Sequence, residues 1–407
     1  MQNLPAAAAV EPVSGRYRLA FILVTSLFFM WGLSYGLLDV LNKHFQETLG
    51  ITRARSAWLQ AAYFGAYFLM AMPAAALIGR GGYKSTILCG LGLFATGALL
   101  VIPSTLLPSF PFFLGAMFVI ASGLAFLETA ANPYVTLLGD ATYSERRLNL
   151  SQSFNGLGQF VAPLIAAQVL FDTGSAGHAP VRAIYAAIAG VVLVLAFLTW
   201  RTAMPEGVAV GNTSIKTGDR SESSLWSQPR FRFGVVAQFF YVAAQVGVGA
   251  FFINYVTEQQ VDFTSADAAR LLSAGLLCFL IGRFAGTALM TRIAPERLLI
   301  CYALINVALT GIVIASIGRL SVIALVGLFF FMSIMFPTIF ALAVKNLGAQ
   351  TRRGSSLLIM SIVGGAIVPW FMGRLADAHG MAPAFLIPLG CFLVVAAYGW
   401  KVASDWR

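Results

Sequence analysis

Two carboxylic acids, Asp39 and Glu128, lie inside long apolar stretches of the sequence, in the segments WGLSYGLLDVLNKHF and FLETAANPYV. A charged carboxylate at the centre of a membrane helix costs about 2.5 to 3.5 kcal/mol on insertion scales, so acids at such positions usually face a cavity and have a function. Because desolvation disfavours the charged form of a carboxyl group, either acid could bind and release protons near neutral pH. The alternative is that each acid only holds helices together through hydrogen bonds.

Polar and aromatic residues recur in four segments at a spacing that places them on one helix face, because positions i, i+3 or i+4, and i+7 share a face. The four stripes are Tyr35, Asp39 and Asn42; Gln60, Tyr63 and Tyr67; Gln152, Asn155 and Gln159; and Gln238, Tyr241 and Gln245. Neutral amides beside rings suit a sugar, whose hydroxyls need donors and acceptors while its C–H faces stack on rings. An ion channel would be expected to show carbonyl-filter segments or charged rings instead. Any single amide could equally form a structural hydrogen bond between helices, but the four stripes together favour a cavity.

Three basic residues are candidates for gating. Arg80 and Lys84 flank a short connection and could form ion pairs at an inner gate, or they could simply determine topology. Arg283 falls within an apolar segment, where a guanidinium needs a partner that the sequence does not identify. Asn132 is a further candidate for substrate binding, and the following Pro133 predicts an interruption of the helix that could act as a hinge.

The elements that position these residues are membrane helices. Of 407 residues, 59% are hydrophobic and 10% are charged, against about 25% charged for an ordinary soluble domain, and the mean hydropathy is +0.82. Apolar runs recur that can each cross a hydrocarbon layer of ~30 Å, and their continuous apolarity excludes barrel strands. We predict an all-α integral membrane protein with twelve transmembrane helices at 17–42, 57–79, 85–103, 111–137, 149–171, 181–203, 231–256, 268–291, 298–317, 320–344, 355–376 and 383–402.

The net charge of +10 is distributed as membrane topology requires. Most of the 26 lysines and arginines fall in connections on the side of the N-terminus, and the positive-inside rule therefore predicts that both termini are cytoplasmic. A basic surface for nucleic acid is the weaker interpretation. Residues 1 to 15 lack the parts of a signal peptide, so the first apolar segment is expected to remain as a membrane helix.

The sequence offers no set of residues typical of an enzyme or a metal site. The three histidines, His44, His178 and His379, lie at or near the ends of predicted helices and form no metal or nucleophile set. The four cysteines lack metal-ligand spacing, and we interpret them as packing residues. We therefore expect no enzyme, no metal and no cofactor.

A polar segment at 204–230, MPEGVAVGNTSIKTGDRSESSLWSQPR, interrupts the apolar pattern. It predicts a cytoplasmic linker between an N-terminal six-helix half, 1–203, and a C-terminal six-helix half, 231–407. The two halves show weak sequence similarity to one another, for example between IGRGGYKSTIL in the first and MTRIAPERLLI in the second. Two repeats of six helices are typical of a carrier that rocks around a site at the midplane.

Several segments carry a family resemblance, namely FFMWGLSYGLLDVL, YFGAYFLMAMPAAAL, LETAANPYVTLLG, RLNLSQSFNGLG, AQFFYVAAQVG, FPTIFALAVKNLG and GSSLLIMSIVGGAIVPWFMGRLAD. In these segments, and in this order over nearly its whole length, the chain resembles the L-fucose:proton symporter family of the major facilitator superfamily. That family also includes glucose, galactose and N-acetylglucosamine carriers.

The resemblance implies roles for individual residues. Glu128 matches the family's membrane-embedded, proton-carrying glutamate, and Asp39 matches the helix 1 acid that links protonation to sugar binding. The family's polar positions in helix 5 fall on Gln152 and Asn155, and those of its helix 7 motif fall on Gln238, Tyr241 and Gln245. The fucose carriers place asparagines three residues and one residue before the helix 1 acid, where this chain has Gly36 and Leu38. This difference puts L-fucose in doubt as the substrate, though not the transport class.

We therefore expect a secondary active transporter that carries a monosaccharide into the cell, with a proton as the coupling ion. The expected substrate is a hexose or deoxyhexose such as L-fucose, glucose or galactose. A sodium-coupled carrier, a uniporter and a non-transporting membrane sugar receptor are the alternatives. The expected partners are the sugar, protons and the lipid bilayer, without nucleic acid. We expect a monomer in a bacterial inner membrane.

Overall fold

A computed structural model of the protein describes residues 18–106, 109–138, 144–172, 179–204, 225–260, 262–290, 292–345, 347 and 350–404. The described residues form helices and no strand. The helices are α1 Arg18–Leu49, α2 Arg53–Ser56, α3 Trp58–Leu106, α4 Phe110–Leu137, α5 Ser144–Ala166 with a π-helical turn Ala167–Asp172, α6 Ala179–Arg201, a 3-10 turn Leu225–Ser227, α7 Pro229–Gln259, α8 Ser265–Leu289, α9 Pro295–Ala315, α10 Gly318–Met332, α11 Met335–Val344, α12 Thr351–Met360, a 3-10 turn Ser361–Val363, α13 Gly364–His379, α14 Met381–Ala384 and α15 Leu386–Ser404.

The described helices include 11 segments that are long and apolar enough to cross a membrane. One of them contains α3, whose 49 residues would extend about 70 Å as a continuous helix. Within α3, Gly82 has a φ of 75° and a ψ of 179°, which breaks the helix at a conformation that favours glycine. The break separates the two spans predicted at 57–79 and 85–103. The prediction of an all-helical bundle with twelve crossings is therefore confirmed.

Four of the predicted helices differ from the prediction in detail. Helix α4 continues through Pro133 to Leu137, so the chain remains helical at this proline, and the hinge stays a prediction. The spans predicted at 320–344 and 355–376 each consist of shorter helices, broken after Met332 and at the turn Ser361–Val363. Helix α1 extends to Leu49 instead of ending at residue 42. At about 1.5 Å per residue, Asp39 consequently lies about 15 Å from the end of its helix, farther from that end than the prediction placed it.

The helices pack in two groups that meet along several helix pairs. In the first group α1 packs on α5, and α3 packs on both α4 and α6; in the second, α15 packs on α7 and α9, and α10 packs on α8 and α9. The groups meet where α1 contacts α7, α5 contacts α8, and α13 contacts α2 and α3. Residues 205–224 of the predicted linker lie outside the described residues, so the division into halves stays a prediction.

Candidate functional site

The Asp39 side chain is enclosed where α1 faces α7. It is only 3% exposed, and its Oδ1 atom has no hydrogen-bond partner among the described residues. The amide of Gln60 on α3 faces the carboxyl group, and the backbone of Gly249 on α7 lies directly against it. No ion pair engages this acid within the described part of the chain. Asp39 is thus turned toward the interior of the bundle and not toward lipid.

The Glu128 side chain lies on α4, half-buried, and faces two tyrosines of α3. These are Tyr63 and Tyr67, which are 1% and 8% exposed. Glu128 makes no hydrogen bond or ion pair with another described residue. A carboxyl group that is neither paired nor turned toward lipid can gain and lose a proton without breaking a structural contact.

A cluster of aromatic rings lies between the two acids. The Tyr35 ring of α1 is 6.3 Å from the Tyr63 ring and 6.0 Å from the Phe64 ring, and Tyr63 stacks on Tyr67 at 5.4 Å. Tyr35 also faces Asp39 and, across the bundle, Tyr241 of α7. The cluster therefore brings together ring surfaces from α1 and α3 beside two carboxyl groups.

Many polar atoms around this cluster are buried but unpaired. By strict geometry no described residue completes a hydrogen bond to Asp39 Oδ1, Asn42 Oδ1, either amide atom of Gln60, or the hydroxyls of Tyr63 and Tyr67. Gln60 and Asp39 face one another, as do Tyr63 and Tyr67, without reaching that geometry. Buried polar groups in proteins are nearly always paired, and leaving one unpaired costs about 1 to 3 kcal/mol. A ligand that carries several hydroxyl groups could satisfy them, and the neighbouring rings offer it stacking surfaces.

The predicted α5 stripe is used mainly in contacts between helices. Asn155 donates from Nδ2 to the carbonyl of Phe28 on α1 at 3.2 Å, and Gln159 donates to Asn155 Oδ1 at 2.7 Å. Gln152 donates to Asn132 Oδ1 on α4 at 3.0 Å, one turn from Glu128. Gln152 and Asn132 are half-buried, so this pair remains beside the site, whereas Asn155 is directed at the backbone of α1.

The α7 stripe contains one residue committed to packing. Tyr241 donates its hydroxyl hydrogen to the carbonyl of Met332 at 2.8 Å. Gln238 is fully buried, and neither of its amide atoms has a partner within the described chain. Gln245 is half-buried. Arg283 of α8 lies beside Tyr241, with its guanidinium carbon 5.0 Å from the centre of the Phe279 ring. The neighbours of Arg283 are therefore aromatic, which the sequence did not indicate.

The other two gating candidates lie away from this site. Lys84 donates from Nζ to the carbonyls of Trp200 and Thr202, at 2.9 and 2.8 Å, and so binds the C-terminal end of α6. Arg80 is exposed. Neither residue forms an ion pair with a described carboxylate.

Sequence reasoning missed a clamp at the end of the bundle that contains α2, here called the α2 end. The Arg53 guanidinium pairs with Glu258 of α7 at 2.5 Å and donates to the carbonyl of Ala376 at 2.7 Å. Asp377 of α13 accepts hydrogen bonds from the backbone N–H groups of Arg53 and Ala54 at 2.9 and 3.0 Å. The sequence signal was slight, because Arg53 is one of several basic residues outside the apolar runs.

A seam between α1 and α7 leads inward from the clamp. Asn42 donates to the carbonyl of Ala250 at 2.6 Å, and Asn254 donates to Gln46 Oε1 at 2.5 Å. Asn42, predicted to bind substrate, is thus also a seam residue. The clamp and the seam close the α2 end of the bundle in this structure.

A separate cavity of about 800 Å³ lies between α1, α5 and α6. Its walls are almost wholly apolar, with Phe29, Phe154 and Ile184 among them, and several of these side chains are exposed on the outside of the bundle. It offers few partners for a polar ligand. The described residues also contain no group of three or more His, Cys, Asp or Glu side chains able to hold a metal ion.

Comparison with known proteins gives consistent matches. The model of the Major Facilitator Superfamily matches residues 20–364. The L-fucose-proton symporter of Escherichia coli (strain K12) is 37% identical over an alignment of 413 positions. The alignment covers 95% of this chain and 94% of the relative. The glucose/galactose transporter of Brucella abortus biovar 1 (strain 9-941) is 38% identical over 389 residues, covering 94% of each chain. A crystal structure of a Major Facilitator Superfamily transporter, FucP, in the outward conformation is 36% identical, with a TM-score of 0.68, and the match covers 95% of this chain and 99% of that one.

Proposed function

Because this chain belongs to the Major Facilitator Superfamily and, within it, to the L-fucose:proton symporter family, we propose that it carries a monosaccharide across a membrane together with a proton. The relatives are transporters and not enzymes, and their names include fucose and glucose/galactose as substrates. The proposed protein is a multi-pass carrier of a bacterial inner membrane with both termini in the cytoplasm. It acts as a monomer, without a cofactor and with the proton as its coupling ion.

One observation supports a sugar more than any other. Unpaired buried amides and hydroxyls surround the rings of Tyr35, Tyr63 and Tyr67, and two unpaired acids, Asp39 and Glu128, lie beside them. Neutral donors, acceptors and ring faces are what a hexose needs. The carboxyl groups can hold a proton next to the sugar, so that both are carried in one conformational change.

The proposed mechanism depends on the charge of Glu128. When Glu128 is protonated it is neutral, and the loaded carrier can reorient without exposing a charge to a low-dielectric environment. The closed α2 end is the outer end in the topology that we propose from the positive-inside rule. Closure there would seal sugar and proton from the outside before both are released to the cytoplasm.

A panel of labelled sugars tests the proposal directly. We expect purified protein in proteoliposomes to exchange at least one of glucose, galactose, L-fucose and N-acetylglucosamine in counterflow. A proton gradient should drive accumulation of that sugar, a protonophore should abolish it, and replacement of sodium by potassium should leave it unchanged. Binding without exchange of any sugar would instead indicate a receptor, and accumulation that needs a sodium gradient would indicate a sodium-coupled carrier.

The clamp at the α2 end provides a conformational prediction. Removing the Arg53 side chain should weaken the closed state, because the ion pair with Glu258 and the hydrogen bond to Ala376 are lost. A partly exposed pair contributes up to about 1 kcal/mol, so the population of the outward-open state should rise roughly fivefold. Calorimetric titration with Arg53→Ala should show tighter binding of sugar from the outside. The exposed neighbour Arg55 serves as the control, and an equal effect of Arg55→Ala would contradict a specific role for the clamp.

A further inference from the structure

Gly249 of α7 lies so close to the Asp39 carboxyl group that a side chain at position 249 would displace that group. A Cβ atom placed on Gly249 would lie 2.6 Å from Asp39 Oδ2 and 3.1 Å from Asp39 Cγ. Non-bonded carbon atoms pack at about 3.5 to 4.0 Å, so a methyl group at this position would overlap the carboxyl group. A side chain at position 249 therefore requires the Asp39 carboxyl group to shift or α1 and α7 to move apart.

The neighbouring contacts prevent α1 from simply moving aside. Asn42 lies about one turn from Asp39 on α1 and bonds to the carbonyl of Ala250, the residue that follows Gly249. Two turns from Asp39, Gln46 bonds both to Asn254 of α7 and to the hydroxyl of Ser56, the latter at 2.8 Å. The seam thus fixes the distance between α1 and α7 on the side of Asp39 that leads to the clamp.

The low exposure of Asp39 is a product of this seam. The residue is 3% exposed because the backbone of α7 covers one side of its carboxyl group, while the amide of Gln60 faces that group from α3. If α1 and α7 separated at the α2 end, the covered side would open to that end of the bundle. Burial of this acid is therefore coupled to closure of the seam.

We propose that Gly249 is a positioning residue for the proton-coupling acid Asp39. Its missing side chain lets α7 close over the carboxyl group when the α2 end shuts, and this closure isolates the acid from the outside. The inference rests on the proposed function only in assigning a coupling role to Asp39, since the steric contact itself is independent of the substrate. Gly249 touches neither proton nor sugar in this scheme and acts through the position of Asp39.

A methyl group at position 249 should hold the carrier open at the α2 end. Overpacking a close contact typically costs about 1 to 3 kcal/mol, so Gly249→Ala should reduce counterflow exchange roughly fivefold or more. Sugar binding from the α2 side should persist, because the rings of Tyr35, Tyr63 and Tyr67 are unchanged. A loss of folded protein would reduce both properties together, whereas this mechanism separates them.

The test measures the distance across the seam directly. Spin labels are attached at Arg55→Cys and Asp262→Cys, two exposed positions at the α2 end, in a chain whose four native cysteines are replaced by serine. Electron–electron double resonance should show a larger long-distance population for Gly249→Ala than for the parent. Shortening the acid as well, in Asp39→Ala with Gly249→Ala, removes the overlap and should restore the parental distance.

A matched control and the contradicting outcomes complete the experiment. Gly311 of α9 has open space where a Cβ would be added, so Gly311→Ala should leave the distance unchanged. An unchanged distance in Gly249→Ala, or an equal shift in the double variant, would overturn the proposal. If Gly249→Ala does not fold, recovery of folded protein in the double variant supports the contact, and failure of both contradicts it. Because the distance is read without transport, a protein that moves no sugar would refute the proposed function alone.

Discussion

Replacing Glu128 by glutamine should abolish proton-driven accumulation of sugar and leave sugar exchange intact. The glutamine amide has nearly the shape of a protonated glutamic acid but cannot release a proton. The loaded carrier can therefore still reorient, because the site remains neutral. One proton moving through about 100 mV supplies about 2.3 kcal/mol, which corresponds to roughly 50-fold accumulation. In Glu128→Gln the ratio of internal to external sugar should fall to about 1 at the same potential.

The structure makes this substitution a clean test. Glu128 has no hydrogen bond or ion pair with the residues the structure describes, so no helix contact is lost with its charge. Accumulation and counterflow should be measured on the same proteoliposomes, with and without an imposed proton gradient. Glu296, at the start of α9, is a suitable control, since Glu296→Gln alters an acid far along the chain from the site. Accumulation against a gradient by Glu128→Gln would refute its role as proton carrier.

Replacing Asp39 by asparagine should uncouple sugar binding from pH. Protonation of Asp39 is favoured at low pH, and we expect the protonated form to bind sugar better, so wild-type affinity should fall as the external pH rises. An asparagine is neutral at every pH and keeps the polar group between Gln60 and Gly249. The affinity of Asp39→Asn should therefore vary less with pH, and its accumulation should drop about tenfold, equivalent to about 1.4 kcal/mol of lost coupling.

Calorimetric titration with the transported sugar between about pH 5 and pH 9 measures this effect. Burial raises the pKa of carboxyl groups in general, and this range covers the pH at which buried carboxyl groups titrate. Asp262, exposed in the connection between α7 and α8, provides the control, and Asp262→Asn should retain the wild-type pH profile. If the sugar affinity of Asp39→Asn also kept the wild-type dependence on pH, Asp39 would have only a structural role in helix packing. Glu128 alone would then carry the proton.

The sequence by itself determined the properties that are local along the chain. The length of each apolar run predicts a membrane helix, because crossing the hydrocarbon requires about 20 apolar residues in succession. The cost of a charge in lipid singled out Asp39 and Glu128 without any knowledge of their neighbours. Helical periodicity placed Tyr63 and Tyr67 on one face, and the structure directs that face at Glu128.

Only the tertiary structure decided what each of those faces meets. Periodicity could not distinguish Gln60, whose amide faces Asp39, from Asn155, whose amide bonds to the carbonyl of Phe28. The clamp joins Arg53 to Asp377, 324 positions away, and no local pattern relates the two. Gly249 is one of 39 glycines, and its importance comes from the carboxyl group that α1 brings against it. Helix formation depends on neighbours along the chain, whereas these contacts depend on how separate helices pack.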